Sequence, residues 1–268
     1  FSYLEWANPK ETFISIIIPT KDRVDLLKNC LNSIYKYSSK LPIEIIIVNN
    51  NSIEEKSLKY FHQLNNKFSN NISHRIIDFN YEFNYSKINN YAVSFSKGNT
   101  LILLNNDVEI LSKNWDEYLS SNANRNDIGC VGAKLIFEDF TIQHAGVILG
   151  IGGVAGHSHK YFEADSKGYN NRLYKSQEYS AVTAACLCIT KEKFNKVGGL
   201  DERNLAVNYN DVDLCLKLRK SNFKNVYLPH VLAIHHESKS RGKPLGENYI
   251  KWKKEYKFMQ RKWNNLLD

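Results

Sequence analysis

The residues with the clearest chemical potential are Asn105, Asn106 and Asp107, which directly follow the run 100–104. That run is almost entirely aliphatic, as in a strand buried on both faces of a sheet. Open α/β sheets build ligand sites where such strands end in polar side chains. A carboxylate at this place suits a hard divalent cation, and the cation suits a diphosphate. The alternative interpretation is a polar turn after a core strand.

Polar residues also follow two earlier hydrophobic runs. Pro19 and Thr20 follow residues 13–18, and the segment 49–52 (Asn-Asn-Asn-Ser) follows residues 43–48. Strand-like runs alternate with helix-like segments here, which predicts a parallel sheet whose polar strand ends share one edge. No G-x-G-x-x-G motif follows the first strand, and no G-x-x-x-x-G-K-[ST] motif occurs. Their absence argues against a dinucleotide-binding dehydrogenase and a P-loop enzyme.

Helix ends and the second half of the chain give further expectations. Asp22 and Ser52 are expected to cap the N-termini of the first two helices, and Gly98 to end the third. Residues 226–228 and 231–234 are expected to form two short strands.

Two groups of histidines are candidates for ligand binding. His235 and His236 open a polar loop that continues through two serines to Arg241, so the loop could clamp a diphosphate. The alternative is an ordinary polar surface loop. His157 and His159 follow a glycine-rich stretch and belong to a lid, to a second-substrate site or simply to a loop.

Bulk composition favours an anionic partner. The 268 residues carry 36 Lys and Arg against 28 Asp and Glu, a net charge of +8. The basic residues are scattered, without the dense block of a nucleic-acid-binding arm. The five cysteines are expected to be reduced core thiols. No apolar run approaches the ~20 residues of a membrane span, and because the chain begins at Phe1 it is expected to be an excised piece or one domain of a longer protein.

The C-terminal segment from about Glu247 has the pattern of an amphipathic helix. One stripe is apolar and the opposite side carries lysines; the stripe consists of Trp252, Tyr256, Met259 and Trp263. We expect this stripe to pack on the rest of the domain. The alternative is a membrane-facing helix, which would fit a lipid-linked substrate.

Six motifs, in this order and spacing, resemble those of family 2 glycosyltransferases with the GT-A fold. They are Ser15-Ile-Ile-Ile-Pro-Thr20, Ile47-Val-Asn-Asn-Asn-Ser52, Leu103-Leu-Asn-Asn-Asp-Val108, Gly198-Gly-Leu-Asp-Glu202, Asn210-Asp-Val-Asp-Leu-Cys-Leu216 and His235-His-Glu-Ser-Lys-Ser-Arg-Gly242. Two further stretches, His144 to His159 and the tail near Trp263, resemble the bacterial branch that builds O-antigens and capsules, including rhamnosyltransferases.

The resemblance implies an enzyme that transfers a sugar, with inversion, from a nucleotide-diphosphate donor to a hydroxyl of a growing glycan. It implies a UDP- or dTDP-linked donor, a divalent metal (Mn²⁺ or Mg²⁺), and a glycan or lipid-linked glycan as acceptor. The fold it implies is an α/β GT-A fold, a mixed, mostly parallel sheet flanked by helices. Nucleic acid is not an expected partner.

The resemblance also implies a role for individual positions. It assigns the donor to Pro19, Thr20, Asn49, Lys87, Asn90, Asn105, Asn106, Asp107 and Arg241. Thr20 and Asn49 would hold the base and ribose, although the family commonly has an acid where this chain has Asn49. Asp107 ends the family's metal motif, and its neighbours Asn105 and Asn106 are amides here.

The remaining roles concern the metal, the base and the acceptor. His235 would join Asp107 as a metal contact. Asp211 occupies the position of the catalytic base, whereas on the bare sequence it reads as a helix N-cap. The acceptor side would include His144, His157 and Asp213, with a structural role as the alternative for Asp213.

As a whole, residues 1–268 are expected to form one GT-A domain. Residues 1–110 would bind the nucleotide sugar, residues 111–246 would carry the acceptor and catalytic half, and residues 247–268 would form the last helix. The expected location is the cytoplasm, with peripheral association at the inner face of the bacterial plasma membrane. Two other functions stay open: a catalytically silent glycan- or nucleotide-binding module, and a nucleotidyltransferase that lacks the usual glycine-rich phosphate loop.

Overall fold

The computed structural model describes residues 6–64, 68–69, 71–236 and 246–267. Within these ranges the strands are β1 Ile14–Thr20, β2 Ile43–Asn49, β3 Phe68–Ser69, β4 Ile72–Asp78, β5 Thr100–Leu104, β6 Val108–Ile110, β7 Ile128–Ile136, β8 Ile142–His144, β9 Val147–Leu149, β10 Ala155–His157, β11 Gln177–Tyr179, β12 Cys186–Thr190 and β13 Lys224–His235. The helices are α1 Val24–Tyr37, α2 Glu55–Leu64, α3 Tyr85–Phe95, α4 Trp115–Ala123, α5 Lys191–Lys196, α6 Asn210–Lys220 and α7 Glu247–Leu267.

Most of the strands form one mixed sheet. Its order is β11-β13-β7-β12-β5-β1-β2-β4-β3, with β6 paired to β13 and β8 paired to β7. Strands β5, β1, β2 and β4 run parallel, as predicted for the first half of the chain, and β12 runs antiparallel to β5. Every residue of β1, β2 and β5 is buried, which explains their continuous aliphatic runs.

The sheet has a hydrophobic core on each face, because successive side chains of a strand point in opposite directions. Ile16 lies in a core that includes residues of α1, α2 and α4. Ile17 lies in the opposite core, which includes residues of α3, α5, α6 and α7. The helices therefore cover both faces, while the C-terminal ends of β1, β2 and β5 lie together at one edge.

The helix caps expected at Asp22 and Ser52 are wrong. Arg23, in the left-handed conformation, is the N-cap residue of α1, and its side chain makes no capping hydrogen bond. The Asp22 carboxylate instead accepts hydrogen bonds from the backbone N–H groups of Ile53 and Glu54, each at 2.8 Å, just before α2. Ser52 accepts a hydrogen bond from the Asp22 backbone N–H at 2.8 Å. These bonds tie the loop after β1 to the loop after β2.

The expected C-cap at Gly98 is also wrong, because α3 ends at Phe95 and Ser96 is its C-cap residue. Gly98 is required for a different reason. A Cβ atom there would lie 2.5 Å from the Ser15 Oγ and 2.6 Å from the Phe13 carbonyl oxygen. A glycine thus lets the start of β5 approach β1 closely.

Two expectations about the second half have different outcomes. The two short strands expected over 226–228 and 231–234 are one strand, β13, with an irregularity between Leu228 and Leu232. The apolar stripe of α7 packs on the domain as predicted, with Met259 fully buried and Trp263 8% exposed. Trp252 and Tyr256, the other two residues of the stripe, are half-buried.

The state of the cysteines agrees with the sequence prediction. All five cysteines are free and buried, as expected of core thiols. Burial raises the pKa of the Cys186 thiol to about 12. In the part of the chain that the structure describes, no helix combines the length and apolarity that a bilayer crossing requires.

Candidate active site

Four of the residues expected to bind the donor lie at the C-terminal ends of the parallel strands. Thr20 and Asn49 are register partners at the ends of β1 and β2. The Asn106 amide donates a hydrogen bond to the Thr20 Oγ1 at 2.9 Å, so the loop after β5 is joined to the end of β1. Pro19 is buried just before Thr20. The structure therefore brings Pro19, Thr20, Asn49 and Asn106 to one edge.

Asn49 is held by an acid that the sequence did not single out. Its amide donates to Asp78 Oδ1 at 2.8 Å, and its own oxygen accepts from the Ser52 backbone N–H at 3.0 Å. Asp78 ends β4 in register with Asn49. The sequence did contain a signal for Asp78, because a strand of alternating polarity ends in this acid. Asp78 adds a carboxylate to the sheet edge beside Asn49.

Asp107 and His235 form the centre of the site. Asp107 is 4% exposed, and its Oδ1 lies 3.2 Å from the Nε2 of His235. These two residues are far apart in sequence, and they meet because β6 pairs with the end of β13, where His235 is opposite Val108. The predicted pairing of Asp107 with His235 is thus present in the geometry.

A glutamine that the sequence analysis missed fixes the orientation of His235. The His235 Nδ1 lies 2.7 Å from the Gln143 Oε1, which can only accept a hydrogen bond, so Nδ1 carries a proton. The Asn105 amide nitrogen lies 3.2 Å from Nε2 and can donate to it. In neutral His235 the unprotonated Nε2 therefore lies 3.2 Å from both the Asn105 amide nitrogen and Asp107 Oδ1, and a bound cation would take the place of the Asn105 hydrogen bond. Metal-binding histidines are commonly held in this way, with the ring nitrogen away from the metal donating to an oxygen.

These two side chains fit a divalent cation whose coordination is completed by a substrate. A carboxylate oxygen and an imidazole lone pair only 3.2 Å apart repel one another unless a proton or a cation lies with them. Across the described ranges, no group of three or more His, Cys, Asp or Glu residues is arranged to hold a metal. Mg²⁺-type sites commonly use one or two protein ligands plus substrate phosphates, so two protein ligands suffice for such a site.

Asp211 lies at the start of α6, after Tyr209 in the left-handed conformation. Its carboxylate accepts hydrogen bonds from the Ala184 backbone N–H at 3.1 Å and from the Val212 backbone N–H at 2.8 Å. These two bonds hold the carboxylate between the segment before β12 and the first turn of α6.

The segment before β12 also binds the loop that leads to Asp107. The Ala185 carbonyl oxygen accepts a hydrogen bond from the Asn105 backbone N–H at 3.0 Å. This bond continues the β5–β12 pairing beyond the last strand residues. Asp211 and the segment Asn105–Asp107 are therefore anchored on two consecutive residues, Ala184 and Ala185.

Lys87 and Asn90, the donor contacts expected on α3, have other partners. The Lys87 Nζ lies 4.8 Å from the centre of the Tyr81 ring, on the exposed side of the helix. The Asn90 amide donates to the Leu200 carbonyl oxygen at 2.9 Å and to Glu202 Oε2 at 3.1 Å. Its oxygen accepts from the Leu200 backbone N–H at 3.0 Å. Asn90 thus holds the loop that follows Gly199, and its contacts favour a structural role.

The acceptor-side candidates fall into two groups. His144 and His157 lie together, with their Nδ1 atoms 2.9 Å apart. Burial, followed by the neighbouring His157 and His235, holds the pKa of His144 well below its ordinary range. Asp213 is fully buried and accepts a hydrogen bond from the Trp263 indole N–H at 2.8 Å, which favours the structural alternative for this residue.

Part of the predicted diphosphate clamp cannot be placed. Arg241 and the two serines before it lie outside the described residues. His236 is described, and its backbone N–H donates to the Asp107 carbonyl oxygen at 3.0 Å. The start of this loop is therefore adjacent to Asp107.

The fold defines a class, a mixed α/β sheet with polar side chains gathered at the carboxyl ends of its parallel strands, and comparison with known proteins gives the family. The profile of Glycosyl transferase family 2 matches residues 15–189, and the chain belongs to this family. An uncharacterized protein of Sinorhizobium fredii, y4gI, is 42% identical over 265 residues, which cover 98% of this chain and 29% of that protein. The O-antigen biosynthesis protein RfbC of Myxococcus xanthus is 35% identical over 234 residues, covering 85% of this chain and 18% of RfbC. The chain thus spans less than a third of either relative.

A solved structure confirms the fold. GalNAc-T7, solved with UDP, GalNAc and Mn²⁺, superposes with a TM-score of 0.69 at 14% sequence identity. The superposition covers 91% of this chain and 48% of GalNAc-T7. The predicted GT-A fold, a mixed and mostly parallel sheet flanked by helices, is confirmed.

Proposed function

We propose that this glycosyltransferase moves a sugar, with inversion, from a nucleotide-diphosphate donor to a hydroxyl of a bacterial surface glycan. One observation carries the proposal: the two segments that bear Asp107 and Asp211 are hydrogen-bonded to adjacent residues of the chain. Asp211 is bonded to Ala184, while the loop that leads to Asp107 is bonded to Ala185. The Asp107 site can therefore hold the leaving diphosphate while Asp211 takes the acceptor proton.

In this proposal the chain's own residues bind and orient the donor. The nucleotide lies along the edge formed by Thr20 and Asn49, where Asp78 supplies a carboxylate close to the place at which the family usually has an acid. Asp107 and His235 would hold a divalent cation such as Mn²⁺ or Mg²⁺. When bound, the cation supplies positive charge that offsets the charge developing on the leaving diphosphate.

Asp211 acts as the general base. It removes the proton of the acceptor hydroxyl while that oxygen forms a bond to the anomeric carbon. The bond from the anomeric carbon to the diphosphate oxygen breaks on the opposite face, so the configuration is inverted. The backbone N–H groups of Ala184 and Val212 hold the carboxylate in a fixed orientation for this transfer.

One relative supports the proposed acceptor class. RfbC is named as an O-antigen biosynthesis protein, and this chain matches it over 234 residues. We therefore propose a growing surface polysaccharide, or its lipid-linked form, as the acceptor. The UDP- or dTDP-linked nature of the donor, the cytoplasmic location and the peripheral membrane association stay predictions.

Donor and metal binding test the first half of the proposal. Thermal unfolding would be followed with UDP, dTDP, GDP and CDP, each in Mn²⁺ and in EDTA. A ligand that binds only the folded chain raises the melting temperature. We expect a rise with one nucleotide in Mn²⁺ alone, and we expect Asp107→Ala to weaken that binding at least about tenfold, because it removes a metal ligand.

The matched control is Glu192→Ala, which removes an exposed carboxylate from the first turn of α5. It should bind nucleotide like the native chain. An Asp107→Ala variant that keeps the full Mn²⁺-dependent shift would contradict the metal assignment.

A further inference from the structure

The helix α7 contacts the chain both before and after Asp211. Its residue Glu255 is 5% exposed although it carries a carboxylate. Glu255 accepts hydrogen bonds from the backbone N–H groups of Val207 at 2.9 Å and Asn208 at 3.0 Å. It also accepts one from the Asn208 side-chain amide at 2.6 Å. A buried carboxylate on α7 thus fixes the backbone three and four residues before Asp211.

The second contact lies two residues after Asp211. Asp213 is fully buried, and its two closest side-chain partners come from α7. The Trp263 indole N–H donates to Asp213 Oδ1 at 2.8 Å, and the Lys262 Nζ lies 2.6 Å from the same oxygen. Lys217, one turn further along α6, lies 3.5 Å from the other oxygen. The charge of Asp213 is therefore neutralised mainly by α7.

The segment between these contacts contains a residue in a costly backbone conformation. Tyr209, the N-cap residue of α6, has φ of 59°, and its side chain makes no capping hydrogen bond. A non-glycine residue in the left-handed region costs free energy that the surroundings must offset. Its ring lies 6.5 Å from that of Tyr256, which is again a residue of α7. The start of α6 is thus shaped by contacts with a helix that lies much later in the chain.

We infer that α7 is a clamp that holds Asp211 in its reacting position, with Glu255 and Asp213 as positioning residues. This inference rests on the proposed role of Asp211 as base. In this inference both residues act through the backbone of the Asp211 segment, because their hydrogen-bond partners lie within the chain. Small displacements of a reacting group can lower turnover by about two orders of magnitude, so the clamp should matter for kcat. Donor binding should not depend on it, because Asp107 is anchored on β6 and β13.

The test compares variants of α7 in steady-state hydrolysis of a donor panel, in which water receives the sugar and nucleotide diphosphate is released. The donors are UDP-glucose, UDP-GalNAc, dTDP-rhamnose and GDP-mannose, and each variant is assayed well below its melting temperature. We expect Glu255→Ala to lower kcat by about 10- to 100-fold with the donor KM within about twofold of the native value. Glu255→Gln keeps one acceptor oxygen and should recover part of kcat. Lys253→Ala, an exposed change on the same helix, should leave both constants unchanged.

A second variant and a second readout separate positioning from general stability. Trp263→Phe keeps an aromatic ring but removes the hydrogen bond to Asp213. It is the test variant if Glu255→Ala does not fold. Hydrogen exchange at residues 207–212 should become faster in both variants. Unchanged kcat per folded molecule in Glu255→Ala and Trp263→Phe would overturn the clamp. Native turnover in Asp211→Asn would instead overturn the proposed base, whatever the α7 variants do.

Discussion

At the scale of single residues, the site depends on polar groups whose partners are distant in sequence. Asp107 meets His235 only because β6 pairs with β13, and His235 is oriented by Gln143. The polar strand ends and the resemblance predicted Asp107, His235 and Asp211. Gln143 gave no signal in the sequence, because one amide in a strand is not distinctive until its partner is known.

His144 gives a pH-dependent prediction. Its folded-state pKa is held well below the ordinary value of about 6.5, chiefly by burial. Below that pH the unfolded chain binds more protons than the folded chain, so stability present above about pH 6.5 is lost as the pH falls. We expect protonation of this residue to lower the free energy of unfolding by at most about 1.4 kcal/mol for each pH unit below 6.5.

The measurement is the free energy of unfolding by urea between about pH 7.5 and 5 for the native chain and His144→Asn. The variant should show a shallower fall with acidification. His62→Asn, on an exposed position of α2, should keep the native slope. Equal slopes for the native chain and His144→Asn would show that His144 does not contribute to the pH dependence of stability.

At the scale of elements, hydrophobic patterns predicted most of the fold. Continuous aliphatic runs gave β1, β2 and β5, because strands buried on both faces need apolar residues throughout. The caps at Asp22 and Gly98 were wrong because their partners belong to other segments. Asp22 binds the loop before α2, and Gly98 makes room for Ser15 and Phe13. Local cap rules do not contain such tertiary contacts.

Gly98 gives a prediction at this scale. Gly98→Ala places a Cβ atom 2.6 Å from the Phe13 carbonyl oxygen, and a backbone atom cannot move away cheaply. Overpacking of this kind should destabilise the fold by about 1–3 kcal/mol. Chemical denaturation would measure it, with the exposed Lys97→Ala as the neighbouring control. Native stability in Gly98→Ala would contradict the close approach of β5 to β1.

At the scale of the whole molecule, the two halves of the chain meet at one sheet edge. The parallel strands supply Thr20 and Asn49, while α6 supplies Asp211 and β13 supplies His235. The antiparallel strand β12 joins them, since Ala184 and Ala185 precede it and bind both carboxylate-bearing segments. The position of β12 between β5 and β7 depends on tertiary pairing, which no local sequence pattern contains.

Sugar transfer with Asp211 as the base is the central claim. The most direct measurement is release of nucleotide diphosphate from the same donor panel in Mn²⁺, with water receiving the sugar in place of the acceptor hydroxyl, for the native chain and Asp211→Asn. Loss of a general base should lower kcat by about 10²–10⁴-fold, with the donor KM unchanged. We expect the native chain to consume one donor and Asp211→Asn to bind it without turnover. Equal turnover in both proteins would contradict the base assignment, and consumption of no donor by the native chain would contradict the enzymatic function itself.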